Sequence, residues 1–345
     1  MTPMRQTLVS LKFVVAVSSL IACSAFAADG SDSPDELREA QAWLHRIQVA
    51  AQKVNYSGTF VYQQANQVRT SRITHILDGH NEIEKLEILD GKPREYIRNN
   101  DEITCYIPEA RTLLIEKKIA QDVFPAILAA NPTDLAQYYN LRRGQTARVA
   151  GYDSQELLLD PKDTLRYGYK LWAERATGLL LRAQTINESN QIVEQIAFTQ
   201  VEIGNINRNR VRASFLNTSG WRIENSVMTQ SSGINWTVRS VPPGFKKVRE
   251  LRRLVSDLAG QNPSASAPNT PAVEREVIQL VFSDGLAAIS VFIEPGSRSR
   301  TEGSMQQGAM NITGKRQGDF WLTIVGEVPA AAIRQVANSI ELKSK

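Results

Sequence analysis

Hydrophobic and polar positions alternate most regularly between Thr164 and Gly204. In TLRYGYKLWAE, Leu165, Tyr167, Tyr169, Leu171 and Ala173 take the odd places; Arg166, Gly168, Lys170, Trp172 and Glu174 take the even ones. A period of two predicts a strand with one apolar face and one mostly polar, solvated face. Arg175-Ala176-Thr177-Gly178 reads as a turn, and GLLLRAQTI alternates again. Asn187-Glu188-Ser189-Asn190 is turn chemistry, because Asn tolerates positive φ and bonds its own backbone. QIVEQIAFTQVEIG is then a third strand. Such short connections predict an antiparallel meander.

The same period recurs upstream. Candidate strands are 56–64, 67–77, 82–89, 93–98, 103–107, 111–116, 145–151 and 154–160, with Asp78-Gly79, Asp90-Gly91 and Asn99-Asn100-Asp101 between them. Before them the period is helical. Ser33 is a good N-cap, Pro34 suits a first turn, and Glu36 completes a capping box. Leu37, Ala40, Leu44, Ile47, Ala51 and Val54 follow on one face, which predicts an amphipathic helix covering the sheet. QDVFPAILAANPTDLAQY interrupts the strands and predicts two short helices parted near Asn131-Pro132. A sheet of this size curls around a cavity rather than lying flat.

Beyond Gly204 the pattern weakens, and 207–235 reads as an interdomain linker. A second domain, 236–345, opens at Trp236. It holds strands at 275–282, 286–294 and 318–327 and a closing helix after Pro329. Residues 255–273, rich in Pro, Ser, Ala and Asn, predict a mobile loop. FKKVRELRRLV is ambiguous, but Phe245, Val248, Leu251 and Leu254 recur every three residues, which favours helix over strand. The fold class is α+β: a large antiparallel, curled sheet with helices over 28–206, and a smaller antiparallel sheet with a C-terminal helix.

The first 27 residues stand apart. Arg5 and Lys12 form a charged start, Phe13 to Ala22 an apolar core, and Ala25-Phe26-Ala27 a small-x-small cleavage site. This predicts a secretory signal cleaved after Ala27, which leaves a soluble protein. Leu20-Ile21-Ala22-Cys23 supports the alternative of a lipid anchor on Cys23. With Arg5 and Lys12 removed from 40 basic residues, 38 face 36 acidic ones. That balance gives no argument for nucleic acid. Cys105 is then the remaining thiol, and reads as a buried, inert one.

Catalytic chemistry is hard to find. His45, His75 and His80 lack ligand spacing with Cys or paired acids, so no metal or cofactor site is expected. No GxSxG, P-loop, dinucleotide, HExxH or CxxC motif occurs. Two features remain. Tyr56, Phe60, Tyr62, Tyr167, Tyr169, Leu171 and Phe198 form either ordinary core or the wall of a groove for an acyl chain or apolar peptide. Basic residues cluster at Arg142 and Arg143, at Arg208, Arg210 and Arg212, and at Lys246, Lys247, Arg249, Arg252 and Arg253. They are either solvated surface or contacts for phosphates or an acidic peptide.

WTVRSVPPGFKKV, LVFSDGLAAISVFIEP and LTIVGEVPAAAIRQVANSIEL resemble the C-terminal domain of the RseB/MucB family. NYSGTFVY, LDGKPREYIRNNDEITCYIPE and YGYKLWAERATGLLLRAQTIN resemble its first domain. The loop at 255–273 and Cys23 depart from that pattern. The resemblance implies a LolA/LolB-like large domain, a half-open β-barrel with helices, and a periplasmic regulator of the envelope-stress sigma factor, sigma-E or AlgU. It implies binding to the periplasmic segment of an RseA/MucA-like anti-sigma factor, which shields that segment from proteolysis. It also implies relief by lipopolysaccharide or other lipid, with acyl chains in the barrel. A lipid or lipoprotein carrier is the alternative, and a homo-oligomer stays open. The expected partner surface is Trp236, Phe245, Lys246, Arg249, Arg252 and Arg253, since aromatics plus Arg are the composition of interface anchors.

Overall fold

The computed structural model describes residues 34–117, 132–226, 228–230, 235–256, 274–296 and 300–343. The signal segment, residues 257–273 of the loop expected at 255–273, and the first of the two short helices expected in 121–138 lie outside them; residues 255 and 256 are strand rather than loop.

Helix α1 (Pro34–Lys53) forms where the helical period predicts it, burying Ala40, Leu44, Ile47, Ala50 and Ala51. A first meander follows: β1 (Tyr56–Gln64), β2 (Gln67–Asp78), β3 (Asn81–Ile88), β4 (Arg94–Asn99), β5 (Glu102–Ile107) and β6 (Thr112–Lys117). After α2 (Pro132–Leu135) comes a second: β7 (Tyr139–Val149), β8 (Tyr152–Pro161), β9 (Gly168–Glu174), β10 (Leu180–Ile186) and β11 (Ile192–Ile203). β1 and β11 pair antiparallel and join the two meanders. β12 (Arg222–Ser226) adds in parallel to β6. Among the described residues the sheet has twelve strands, with β12 and β7 at its two ends. Those ends do not pair with each other, so the barrel is half-open.

The register explains the core. Tyr62 lies opposite Ile196, Ile196 opposite Ala183, Ala183 opposite Leu171 and Leu171 opposite Leu157. One face of the sheet thus carries a continuous apolar row, and α1 packs its buried stripe on the β7–β10 end of that face. A neighbouring cluster gathers Tyr56, Phe60, Ile73 and Phe198 with Trp172, Leu179 and Leu181. The solvated face expected of the opening strand is not solvated. Trp172 is buried in the second cluster with Arg182 over its ring at 5.3 Å. Glu174 is buried because its carboxylate accepts the backbone N–H groups of Ala176 and Thr177 and the Thr177 hydroxyl.

Among the described residues the small domain has a seven-stranded sheet in the order β13 (Met228–Gln230), β15 (Lys246–Ser256), β16 (Glu274–Ser283), β17 (Ala288–Pro295), β20 (Phe320–Gly326), β19 (Met310–Gln317), β18 (Gly303–Gln307). α3 (Ala330–Asn338) packs Ala332, Ile333, Val336 and Ala337 into its core. β14 (Trp236–Val238) pairs with the terminal β21 (Ile340–Leu342).

FKKVRELRRLV is strand, not helix. β15 pairs with β16 over its whole length, with a bulge between Lys247 and Arg249. Leu251 is buried while Val248, at the bulge, stays 58% exposed, so the three-residue recurrence carries no common face. Within 207–235, Arg208–Val211 makes a 3-10 turn, β12 completes the large sheet and β13 starts the small one. The stretch expected as a linker thus holds one strand of each sheet.

Candidate functional site

The two domains meet through a buried ion pair. Arg166 precedes β9, and its side chain is wholly buried. Its guanidinium NH1 donates to Asp284 at 2.8 Å, its Nε donates to both oxygens of Asp163 at 3.1 Å, and its NH2 donates to the Pro243 carbonyl. Tyr138, Tyr139 and Phe245 surround its planar face at 4.9, 5.5 and 5.6 Å. Asp284 is equally buried. Its other oxygen accepts the N–H groups of Leu286 and Ala287 at 3.0 and 2.9 Å, which is what the Asp-Gly turn between β16 and β17 provides. Burying both charges is tolerable because every polar direction around them is occupied.

Further contacts extend this junction. Asn311 of β19 donates to the Tyr167 hydroxyl at 3.1 Å and to the Val328 carbonyl at 2.9 Å. Gln64 of β1 donates to the Gln307 carbonyl at 3.0 Å. Gly244 turns at φ +83 directly over the Tyr138 ring, where a Cβ would lie 2.4 Å from it; glycine is required on both counts.

The structure separates the residues expected to bind a partner. Trp236 is buried, edge-on to Phe320 at 5.2 Å, and fastens the terminal strand to the small core. Phe245 is buried against Arg166. Neither is an exposed anchor, because aromatic area here serves the core and the junction. Lys246 is open to solvent, 4.0 Å from Asp134 of the large domain. Lys247 pairs with Glu250, and Arg252 donates to Glu276 at 2.9 Å. Arg249 is half-buried on the same strand, and Arg253 lies in register with Met228 and Val277. The cluster is thus a row along β15, partly neutralised by acids beside it.

The expected apolar groove is largely core. Tyr56, Phe60, Tyr169, Leu171 and Phe198 are buried within the two clusters, and Tyr167 is buried at the domain junction. Tyr62 alone of the seven is half-buried. A cleft of about 810 Å³ does open, on the opposite face of β1–β3 and β11. It is polar: Ser57, Thr59 and Thr74 line it with Arg72, Lys85, Glu87 and Arg212. Its floor is held by Lys85, which donates to the Arg212 carbonyl and the Ser214 hydroxyl and pairs with Glu87 and Glu95.

His75 is also buried. Its ring stacks on Tyr56, with Nδ1 2.8 Å from the Val54 carbonyl and Nε2 3.2 Å from Glu82. Arg98 donates to Glu82 and Glu84. The hydrogen bond from His75 and then that from Arg98 draw the Glu82 carboxyl down to about 2, against the opposing effect of burial. Cys105 is buried, and burial pushes its thiol up, away from reactivity. No group of metal-ligating side chains assembles among the described residues.

Two domains, one curled and one small, in fixed order along the chain are also what comparison with known proteins finds. Residues 39–225 match the MucB/RseB N-terminal domain and residues 230–341 the MucB/RseB C-terminal domain. The chain belongs to the MucB/RseB family. Sigma factor AlgU regulatory protein MucB of Pseudomonas aeruginosa is 30% identical, over 88% of this chain and 90% of that one. Sigma-E factor regulatory protein RseB of Escherichia coli is 22% identical, over 92% and 93%. The solved Pseudomonas aeruginosa MucA/MucB complex superposes with a TM-score of 0.67 at 28% identity, covering 89% of this chain and 100% of that one. The MucB/RseB match divides at 225–230, where β12 of the large sheet gives way to β13 of the small one.

Proposed function

We propose that this chain is a periplasmic regulator that binds the periplasmic segment of a MucA/RseA-like anti-sigma factor and shields it from regulated proteolysis. It thereby restrains an envelope-stress sigma factor. The observation that carries the reading is the end-to-end likeness to MucB, whose structure in complex with MucA is solved. Shielding needs only occlusion, so binding rather than catalysis suffices. The fastened second domain favours this over a lipoprotein carrier, for which the curled sheet alone would serve.

The proposed contact surface is the basic row of β15 beside the domain junction. Lys246, Arg249 and Arg252 on that strand offer cationic groups to acidic side chains of the segment. Lipid relieves the block by linkage: a lipid favouring a state incompatible with the segment weakens the segment's binding to the same degree. A lipid phosphate would compete for the same basic residues.

The test is titration of the mature chain with the periplasmic segment by calorimetry. Saturable binding is expected, with at least tenfold loss in the charge-reversed variant Lys246→Glu/Arg249→Glu/Arg252→Glu. Binding that survives the triple reversal moves the contact away from β15. Absence of binding to the unaltered chain removes the function.

A further inference from the structure

Among the described residues the two larger sheets end on four strands, β12 and β7 in the large domain, β13 and β18 in the small one. A strand at a sheet's end exposes a row of unpaired backbone N–H and C=O groups, which proteins ordinarily guard. β7 packs against α1, with Arg143 paired to Glu39 of that helix, and bulges between Arg143 and Thr146. β12 is short and carries Arg222 and Glu224. β13 is three residues long. β18 has none of these devices. Gly303-Ser304-Met305-Gln306-Gln307 holds no charge and no proline, every residue in it is exposed, and it pairs with β19 residue for residue without a bulge.

The hairpin decides which groups point outward. Gly308 and Ala309 form a two-residue loop, so Gln307 and Met310 close it as a hydrogen-bonded pair. Bonding alternates from there. The N–H and C=O of Gly303, Met305 and Gln307 turn toward β19, and those of Ser304 and Gln306 turn away from the sheet. The side chains also run off this edge. Met305 lies opposite Ile312, and Ile312 opposite Val325, so an apolar row crosses β20 and β19 and ends at Met305, which is 59% exposed. A neutral edge with an apolar row leading to it offers little to a charged segment. It is matched by a strand of its own kind.

We propose that β18 pairs with β18 of a second copy of this chain, antiparallel about a two-fold axis at Met305. This register pairs the whole strand. Ser304 faces Gln306 of the second copy, Gln306 faces its Ser304, and the outward groups make about four backbone hydrogen bonds. Met305 meets Met305 in the non-hydrogen-bonded position, where side chains lie closest, and the two apolar rows become one. Gln307, which contacts Gln64 and Gln67 of the large domain, faces Gly303 of the second copy, which has no side chain to clash with them. The contact is self-complementary, so it closes at two copies. β15 lies toward the other end of the same sheet, so both basic rows stay free.

Sedimentation equilibrium of the mature chain over a wide range of concentration tests this. The mass is expected to rise from one copy to two. Ser304→Lys/Gln306→Lys sets like charges directly opposite in both pairs and should weaken the dimer by about tenfold or more. Ser304→Lys/Gln306→Glu sets opposite charges there and should restore it. Both positions are exposed, so neither variant threatens the fold. Cross-linking reads the register. Met305→Cys should form a disulfide between copies in oxidised glutathione, because its Cα atoms come within disulfide range, whereas those of Ser304→Cys do not. Cys105 is buried and does not compete. A mass that stays at one copy, a dimer indifferent to the double lysine, or cross-linking as efficient in Ser304→Cys as in Met305→Cys overturns the proposal.

Discussion

Arg166 shows how one residue fixes the geometry of the whole junction. Its charge is buried, so removing either it or its partner leaves the other uncompensated. Arg166→Met should lower stability by about 3–5 kcal/mol, and Arg166→Met/Asp284→Leu should recover much of that, because a buried pair is replaceable by apolar packing while a lone buried charge is not. Urea midpoints of the two variants check this. Glu82 gives a pH signature. Its carboxyl is drawn down to about 2, so its contribution is present above the ordinary carboxylate range and is lost as pH falls from there toward 2. Acid titration of stability should be shallower in Glu82→Gln than in wild type over that window; equal slopes would show that the His75 and Arg98 bonds contribute nothing. Neither group was legible in the sequence. Arg166 and Asp284 are 118 positions apart, and an Arg beside a strand ordinarily means surface. His75 gave no ligand spacing, because its partners are a carbonyl and an acid brought in by the sheet register.

At the scale of elements, most strands of the large domain were legible, although β7 starts at Tyr139 rather than in the 145–151 expected. Each has apolar positions at period two, and each pair is parted by Asp-Gly, Asn or another turn residue. β15 was not, because Lys and Arg bury their stems and expose their heads, which blurs the two faces. The strand assignment makes a contrast that a helix with both residues on one face would not. Leu251→Ala should cost about 2–5 kcal/mol and Val248→Ala less than about 0.5 kcal/mol, measured by chemical denaturation. Comparable losses would restore the helical reading. β18 escaped notice because every residue in it is exposed, so it has no alternation to read. β12 was hidden in the expected linker, since its place comes from parallel pairing with β6, 110 residues earlier. Residues 207–221 follow no period because single side chains fasten them, such as Phe215 stacked on Tyr106 and Ser214 bound to Lys85.

For the whole molecule, the sequence showed two domains and a curled sheet but not how the domains are joined. That mattered for the site. Trp236 and Phe245 looked like interface anchors beside a basic cluster, yet both bury their area inside the molecule. What remains outside is the basic row of β15, beside the junction that the Arg166–Asp284 pair fastens. On this account the domains present one surface to the anti-sigma segment, and occlusion follows from rigidity. The most direct test is protection. The periplasmic segment of the cognate anti-sigma factor is incubated with the protease that cleaves it first, with and without a molar excess of the mature chain. The account predicts that cleavage is slowed at least tenfold, and that Arg166→Met, which loosens the junction, restores much of it. Cleavage at the same rate with and without the chain, under conditions where the chain is folded, would contradict it.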